Sequence, residues 1–496
     1  MLTVRLLLWT SIVAGGLVAS VHTSAAAAAS RVLVMDGSGR VHARVDRALP
    51  ADAGFPMPIA PGATAAARPK RRRAPERTFR SELARLLAAH QIDAATAAGD
   101  RRAFDDAIRT TRRLSGTRRA ELQAVIDTLH GIAARGQLGA ARLPELIATL
   151  RRNRQWWTSG SLLSYGQRVE FSDSELVWEY YPGQGIQLQV LGTFGKANGL
   201  WQAGDGTRLR ALLDEMIPLA AARGGALAWE YDFAFGGGTP PWTSGMAQAT
   251  GIQALARAGQ MLGSPVYLRT AGRALKLFAL PAPVGVRARA PAGVRYLLYS
   301  FDPGQLVVNA EIQTLVALHD YATLTGSATA RALFDAGDRQ ARRDVAADDT
   351  GAWSLYQLGG AESDLSYHEL LTGFLHNLCD RTRTPIYCTT ADAYTRDLHE
   401  PPRLTLVTRR VRAGRYALVR FSLSKVSRVG MTIRRDADGR TVLATSASVT
   451  RGTRAYGWTV PSAPGRYDVT LTGSDLAGNG GRATGTIAVV GPAPRA

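Results

Sequence analysis

From Thr78 to about Asn153 apolar residues recur at helical spacing, as in Leu83, Leu86 and Leu87 and again in Leu122, Val125, Ile126, Leu129 and Ile132, with Gly136 and Gly139 interrupting the pattern. Between Trp156 and Phe194 the character changes. Gly–Ser turns, alternation around Val169 to Phe171 and the run Trp178-Glu-Tyr-Tyr-Pro182 predict short strands and loops. Helical periodicity returns at Leu209 and continues to about Leu378. One helix carries Ile252, Leu255, Gly259 and Leu262 and stops at Gly263. Ser264-Pro265 then supply an N-cap and a first-turn Pro for the next, with Leu268, Ala271, Leu275 and Phe278 inward. A further helix carries Ile312, Leu315, Val316, His319 and Ala322. Consecutive helical hairpins joined by short loops predict an incomplete α/α toroid over residues 78–400.

After Pro401-Pro402 the pattern is one of short β-type runs divided by Gly, Pro and Asp: 404–407, 416–423, 430–433, 441–444, 455–460, 467–472 and 484–490. Seven such runs predict an all-β immunoglobulin-like sandwich over residues 401–496. The fold expected for the chain is therefore multidomain and mainly α, a barrel of helical hairpins followed by that sandwich. Upstream, residues 30–77 hold one strand-like piece, Arg31–Met35, and then a Pro/Ala/Gly-rich stretch ending in Pro69-Lys-Arg-Arg-Arg73, which reads as a linker.

Residues 1–29 set the expected compartment. Arg5, an apolar run to about Val21 and the small residues Ala25 to Ala29 predict a secretory signal peptide, or else an uncleaved signal anchor. Export makes the pair Cys379 and Cys388, nine residues apart, a local disulfide, since a metal site would normally need four ligands. Charge adds a partner class. Lys and Arg number 60 against 40 Asp and Glu, a net +20, and residues 401–496 hold 16 Arg or Lys against 4 Asp. A field of that sign attracts polyanions, and Arg presents a fork that fits a carboxylate. In an exported chain this favours an acidic polysaccharide, or attachment to a wall or membrane surface, over nucleic acid; a passive, soluble surface is the plainer alternative.

Candidate chemistry lies in the second helical block. Trp242-Thr-Ser-Gly-Met-Ala-Gln248 opens a helix after the loop Phe235-Gly-Gly-Gly-Thr-Pro-Pro241. Tyr299 precedes Asn309 by ten residues, and Tyr356 and the pair Tyr367-His368 follow. Tyr367, Leu371, Phe374 and Leu378 share one predicted helix face, which aims the phenol inward. Together these positions resemble the C-terminal catalytic domain of the D-glucuronyl C5-epimerases. The match covers a Trp-x-Ser-x-Met-Ala-Gln run, a Tyr-Pro pair with Gln soon after (Tyr181-Pro182, Gln184 or Gln187), three tyrosines in order, and a Leu-x-Asp-x pattern like Leu318-His-Asp-Tyr321. It spans roughly residues 175–380 and suggests a bacterial, secreted member of the family.

The resemblance implies Tyr299, Tyr356 and Tyr367 as catalytic residues. It makes Tyr181, Trp242, Gln248, Arg295, Asn309 and His368 candidates for substrate binding. Inverting C5 of a glucuronyl unit removes the proton α to the carboxylate and returns one to the opposite face, so one phenol acts as base and another as acid. A base with an unperturbed pKa of about 10 must be lowered by roughly 2 to 3 units, or roughly 3 to 4 kcal/mol. The enolate-like intermediate needs donors or positive charge at the substrate carboxylate. No metal or other cofactor is called for. Two family positions differ: Leu298 replaces a carboxylate before the first tyrosine, and Gly359 replaces an Arg after the second. Asp302, Glu311, Glu362 and Asp364 are the carboxylates that could substitute. A polysaccharide lyase using the same proton abstraction, and a non-catalytic wall protein holding an acidic glycan, are the alternative readings.

Overall fold

The computed structural model describes residues 30–50 and 77–491; the predicted signal segment and most of the predicted linker lie outside them. The chain begins with a hairpin, β1 (Ser30–Met35) and β2 (Val41–Asp46). Four helices follow: α1 (Phe79–Ala88), α2 (Ala94–Thr111), α3 (Gly116–Ala134) and α4 (Leu143–Ser159). Thr78 and Ser81 form a capping box at the head of α1, and Asp93 caps α2. Strands β3 (Arg168–Phe171), β4 (Trp178–Tyr181) and β5 (Gly185–Leu188) are buried at every position. Their polar members, Arg168, Glu170, Glu179 and Gln187, are buried along with the apolar ones, so the alternation in sequence does not mark a solvent-facing side. They join the N-terminal hairpin in one five-stranded sheet, ordered β2-β1-β3-β4-β5, with Leu33 of β1 parallel to Val169 of β3. Residues 30–46 are thus part of the folded body. Lys196, wholly buried, lies against Asp46, Glu170 and Glu175 and ties that hairpin to the helices.

Helices α5 (Val190–Gln202), α6 (Gly206–Met216), α7 (Gly245–Met261) and α8 (Pro265–Leu275) are separated by the ribbon β6 (Ala221–Arg223) and β7 (Ala226–Ala228). A second ribbon, β8 (Arg287–Ala290) and β9 (Gly293–Tyr296), precedes α9 (Val308–Thr325), α10 (Ala328–Asp348), α11 (Leu365–Thr382) and α12 (Pro385–Asp397). Helix α5 packs on α7, α7 on α9 and α9 on α11, each backed by the helix after it. Proline starts α8 with Ser264 at its N-cap, and Gly263 has φ 60°. The long loops before α7, α9 and α11 all lead into helix N-termini, which gathers them at one end of the row. Cys379 in the last turn of α11 is disulfide-bonded to Cys388 in the first turn of α12, with Cα atoms 4.9 Å apart.

The C-terminal region has eight strands: β10 (Leu404–Leu406), β11 (Arg410–Arg412), β12 (Tyr416–Leu423), β13 (Ser427–Arg435), β14 (Thr441–Val449), β15 (Gly452–Thr459), β16 (Gly465–Asp475) and β17 (Gly480–Val490). They form a three-stranded sheet, β10-β12-β15, and a five-stranded sheet, β11-β17-β16-β13-β14, over an apolar core that includes Phe421, Ile433, Trp458 and Leu471.

These elements correct the expected fold class. Among the described residues about 44% are helix and 25% strand, with a half-barrel of sheet in the C-terminal region, so this is a mixed α and β molecule and not a mainly α toroid with an immunoglobulin-like sandwich appended. Two features account for the difference. The sheet of β1 to β5 depends on pairing residue 33 with residue 169, which no local pattern encodes. Strand β11, only Arg410–Arg412, is too short and charged to register as a β-type run, yet it pairs in parallel with β17 and sets the edge of the larger sheet.

Candidate active site

The loop ends before α7, α9 and α11 are organised by aromatic packing. Tyr231 and Trp242 exchange backbone hydrogen bonds (2.7 and 3.1 Å) and stack with ring centroids 4.4 Å apart. Trp242 Nε1 donates to the Phe233 carbonyl at 2.9 Å. Alternation along this strand-like segment turns Tyr231, Phe233 and Phe235 to one aromatic cluster, joined by Tyr181 (4.5 Å from Phe233) and Tyr299 (5.8 Å from both Phe235 and Trp242). Ser244 then caps α7 through its Oγ and the Ala247 amide (3.2 Å).

Tyr299 is 2% exposed and leads into α9. That helix starts at Val308 with Val307 at its N-cap, so Asn309 is inside the first turn and is not the cap; its Oδ1 is buried without a partner. Tyr356 sits on a hairpin-like loop, where its amide donates to Ala361 O (3.0 Å) and Ser363 N donates to Ser354 O (3.0 Å). A bond from Leu358 N to Leu306 O (3.0 Å) holds that hairpin against the entry to α9. Asp364 caps α11 by accepting from Tyr367 N at 2.9 Å. The rings of Tyr356 and Tyr367 meet edge to face, with centroids 5.0 Å apart.

All three phenols resist ionisation, chiefly because they are buried. Tyr299 and Tyr367 are raised further by charge on Tyr356. Tyr356 differs in kind. Its Oη is buried without a hydrogen bond of full geometry, yet the neighbouring hydroxyls of Tyr299 and Tyr367 favour its ionised form and offset part of the burial cost. The three tyrosines are therefore electrostatically coupled within one cluster. Tyr165, half-buried in the turn before β3, belongs to it as well, acting on Tyr181, Tyr299 and Tyr367.

The remaining candidates are placed differently. His368 is wholly buried and stacks on Trp353 at 3.8 Å. Its Nδ1 accepts from the Ser354 amide (3.2 Å), which leaves the proton on Nε2 to donate to the Tyr394 carbonyl (3.2 Å). Burial pushes its pKa down to about 4, so it is a neutral wedge beneath the hairpin. Gln248 is wholly buried and donates to the Trp229 carbonyl at 2.7 Å. Arg295 does not join the tyrosines; its fork holds Asp344 through two bonds of 2.6 and 2.7 Å. The Tyr181 hydroxyl accepts from Gln189 Nε2 at 3.1 Å. Of the carboxylates that could replace the one lost at buried Leu298, Glu311 is enclosed beside Asp344 and Arg295, and Glu362 accepts backbone amides of the C-terminal region. Asp364 is a helix cap, and Asp302 accepts from Gly304 N (3.1 Å). Gly359 has φ 73° at an exposed turn, where an Arg would be strained.

The buried face of α11 differs from the one expected from its spacing. Its buried stripe is His368, Leu371, Leu375 and Leu378, while Tyr367 and Phe374 lie half-buried at its edge. From Tyr367 that edge runs through Leu370, Phe374, Asn377 and Arg381 into a cavity of about 290 Å³ also lined by Met246, Gln253 and Gln313. Sequence periodicity did not separate the stripe from its edge. Nor did it single out Tyr165, which no motif marks; the period-two spacing of Tyr231, Phe233 and Phe235 was the available signal for the aromatic cluster.

Comparison with known proteins bears on this same part of the chain. Residues 223–396 match the family described as D-glucuronyl C5-epimerase C-terminus. A D-glucuronyl C5-epimerase of Caenorhabditis elegans is 33% identical over 132 residues, covering 24% of this chain and 21% of that protein. The chain thus spans about a fifth of the length of that relative. Two solved structures share slight similarity: an endo-beta-1,4-glucanase from Acetobacter xylinum (16% identity) and an endoglucanase from Komagataeibacter sucrofermentans (15%). Each covers 41% of this chain and 67% of its own at a TM-score of 0.30, too low to bear on fold or function. The family match starts beyond Tyr181 and takes in Trp242, Asn309 and all three central tyrosines, so the part of the chain that carries the tyrosine cluster is similar to the C-terminal region of the D-glucuronyl C5-epimerases.

Proposed function

We propose that this protein inverts C5 of D-glucuronyl units in an acidic polysaccharide, with Tyr356 as the base. The observation that carries the reading is the tyrosine cluster, in which one phenol alone has its ionised form favoured by the other two. Tyr356 as phenolate takes the C5 proton, and the electron pair moves onto the carboxylate as an enolate. Tyr367, edge to face with Tyr356, steadies the phenolate. Tyr299 comes from a separate loop and is held protonated by burial, so it is suited to return a proton to the opposite face. Burial keeps all three phenols above their ordinary pKa. The lowering a base needs must therefore come with substrate, whose entry can fix Tyr367 as a donor to Tyr356 while Tyr299 faces the other side of the ring. The Cys379–Cys388 disulfide supports export.

Incubation with a heparosan-type polymer in deuterated water tests the reading. Deuterium at C5 with intact chains is the expected result. Shortened chains with a new ultraviolet-absorbing double bond would identify a lyase. Neither signal, with polymer still bound, would identify a glycan-holding protein.

A further inference from the structure

The hairpin that presents Tyr356 touches the helical body on one side and the C-terminal sheets on the other. Leu355 and Glu362 face each other across it. Glu362 reaches into the C-terminal region, where its two oxygens accept from Val426 N (3.2 Å) and Arg451 N (3.1 Å). Those amides belong to two turns, one joining β12 to β13 and the other β14 to β15, which lie side by side because Ser427 pairs with Val449 and Leu423 with Gly452, so a single carboxylate joins both turns at one end of the sheets. Beside it, Lys425 is 1% exposed. Its Nζ pairs with Asp475 at 2.6 Å, donates to the Asp397 carbonyl at 2.7 Å, and lies 5.2 Å from the centre of the Trp353 ring. Trp353 in turn stacks on His368, the neighbour of Tyr367. A buried ammonium placed this way is costly to disturb, because losing Asp475 would leave its charge uncompensated in a dry site and losing a carbonyl would leave a donor unpaired.

We propose that the C-terminal β region is a positioning element for the active-site hairpin: Glu362, clamped between the Val426 and Arg451 amides, fixes the hairpin that aims Tyr356, and Lys425 locks the Trp353–His368 stack beneath it. Glu362 is a positioning residue and does not touch substrate. The proposal rests on Tyr356 acting at C5, and it adds a role for a region outside the family match at residues 223–396.

The full chain carrying Glu362→Gln and, separately, Glu362→Ala tests it with two readouts. The first is the rate of C5 deuterium incorporation into a heparosan-type polymer, resolved into kcat and KM. The second is amide hydrogen exchange of residues 353–364 and of β13 and β16. Misplacing a reacting group by about 1 Å costs about 100-fold. Glu362→Ala should therefore lower kcat by about that factor with KM within about twofold. Glu362→Gln, which can accept from only one of the two amides, should fall between it and the parent. In both variants the 353–364 amides should exchange faster while β13 and β16 keep parental protection. Parental kcat in Glu362→Ala, or unchanged exchange at 353–364, overturns the proposal. Loss of protection in β13 and β16 as well would overturn it too, since Glu362 would then stabilise the sheets at large. A parent that incorporates no deuterium refutes the epimerase reading instead, and the exchange arm still decides the clamp.

Discussion

Helices α7, α9 and α11 have two ends that are built on opposite terms. At their C-terminal end Asp320 is saturated. It accepts from Gln253 (2.8 Å), Arg257 (2.8 Å) and both nitrogens of the Arg381 fork, and Arg257 also lies 4.3 Å from the centre of the Trp201 ring. Those partners hold the Asp320 carboxyl far below the ordinary range despite burial. At the N-terminal end the polar groups are left short. Asn309 Oδ1 and Gln248 Oε1 are buried with no hydrogen-bond partner, and buried Tyr356 Oη has only the neighbouring phenols, without a bond of full geometry. An unsatisfied buried group costs about 1 to 3 kcal/mol. A fold that tolerates several at one end and none on Asp320 at the other has put its stability in one place and its chemistry in the other.

The largest expected effect tests the unsatisfied end. Tyr356→Phe should reduce C5 deuterium incorporation by about 1,000-fold, within the range for loss of a general base. Its denaturation midpoint should stay close to that of the parent, because the lost hydroxyl has no full hydrogen bond to surrender. A large loss of stability with modest loss of rate would show that Tyr356 belongs to the framework. The next effect tests the saturated end. Asp320→Ala strands Arg257 and Arg381 in a half-dry site and should cost about 3 to 5 kcal/mol by chemical denaturation. At temperatures where the variant is folded, exchange at C5 should remain within a few-fold of the parent.

This contrast was only partly legible in the sequence. The Trp242–Gln248 run and the ordered tyrosines are local patterns, and the punctuation at Gly263-Ser264-Pro265 is chemically explicit, so the α7–α8 junction and the site's composition could be anticipated. What could not be read is whatever depends on a distant partner. Arg295 looked free to meet a substrate carboxylate until Asp344, 49 residues on, was found in its fork. His368 looked polar and available, but Trp353, Ser354 and Tyr394 enclose it. Tyr367 was placed on the core stripe of α11, and only the packing of the neighbouring helices shows it at the edge. The β1–β3 pairing and the Glu362 contacts with two remote turns are invisible for the same reason.

Protonation offers a third, smaller test, at the satisfied floor beneath the tyrosines. The His368 pKa falls from 6.5 to about 4 on folding, so between those values the unfolded chain binds more protons than the folded one. Its contribution is fully present above pH 6.5 and is lost as the pH falls toward 4. Asp348 and Asp397, raised by burial to about 7 and about 6, act in the opposite sense and stabilise the fold as the pH falls. The parent's own profile therefore mixes the two. The stability difference between the parent and His368→Asn isolates the histidine, and it should shrink by about 2 kcal/mol between pH 7 and pH 4.5. A difference independent of pH would mean that His368 is not held neutral.

The last test returns to the saturated end, with a comparably small effect. Cys379 lies two residues before Arg381 on α11, and its bond to Cys388 closes a loop with a sequence separation of 9. Loop-closure entropy for a ring of that size is worth about 2 to 3 kcal/mol, so the Cys379→Ser, Cys388→Ser double variant should be destabilised by about that amount. Arg381 keeps its helix and its carboxylate, and no tyrosine of the cluster touches the bridge. Epimerisation in the folded variant should therefore match the parent. If the rate at C5 fell together with stability, motion at one end of α11 would be reaching Tyr367 at the other, and the division between a stable end and a reactive end would have to be given up for a helix that serves both.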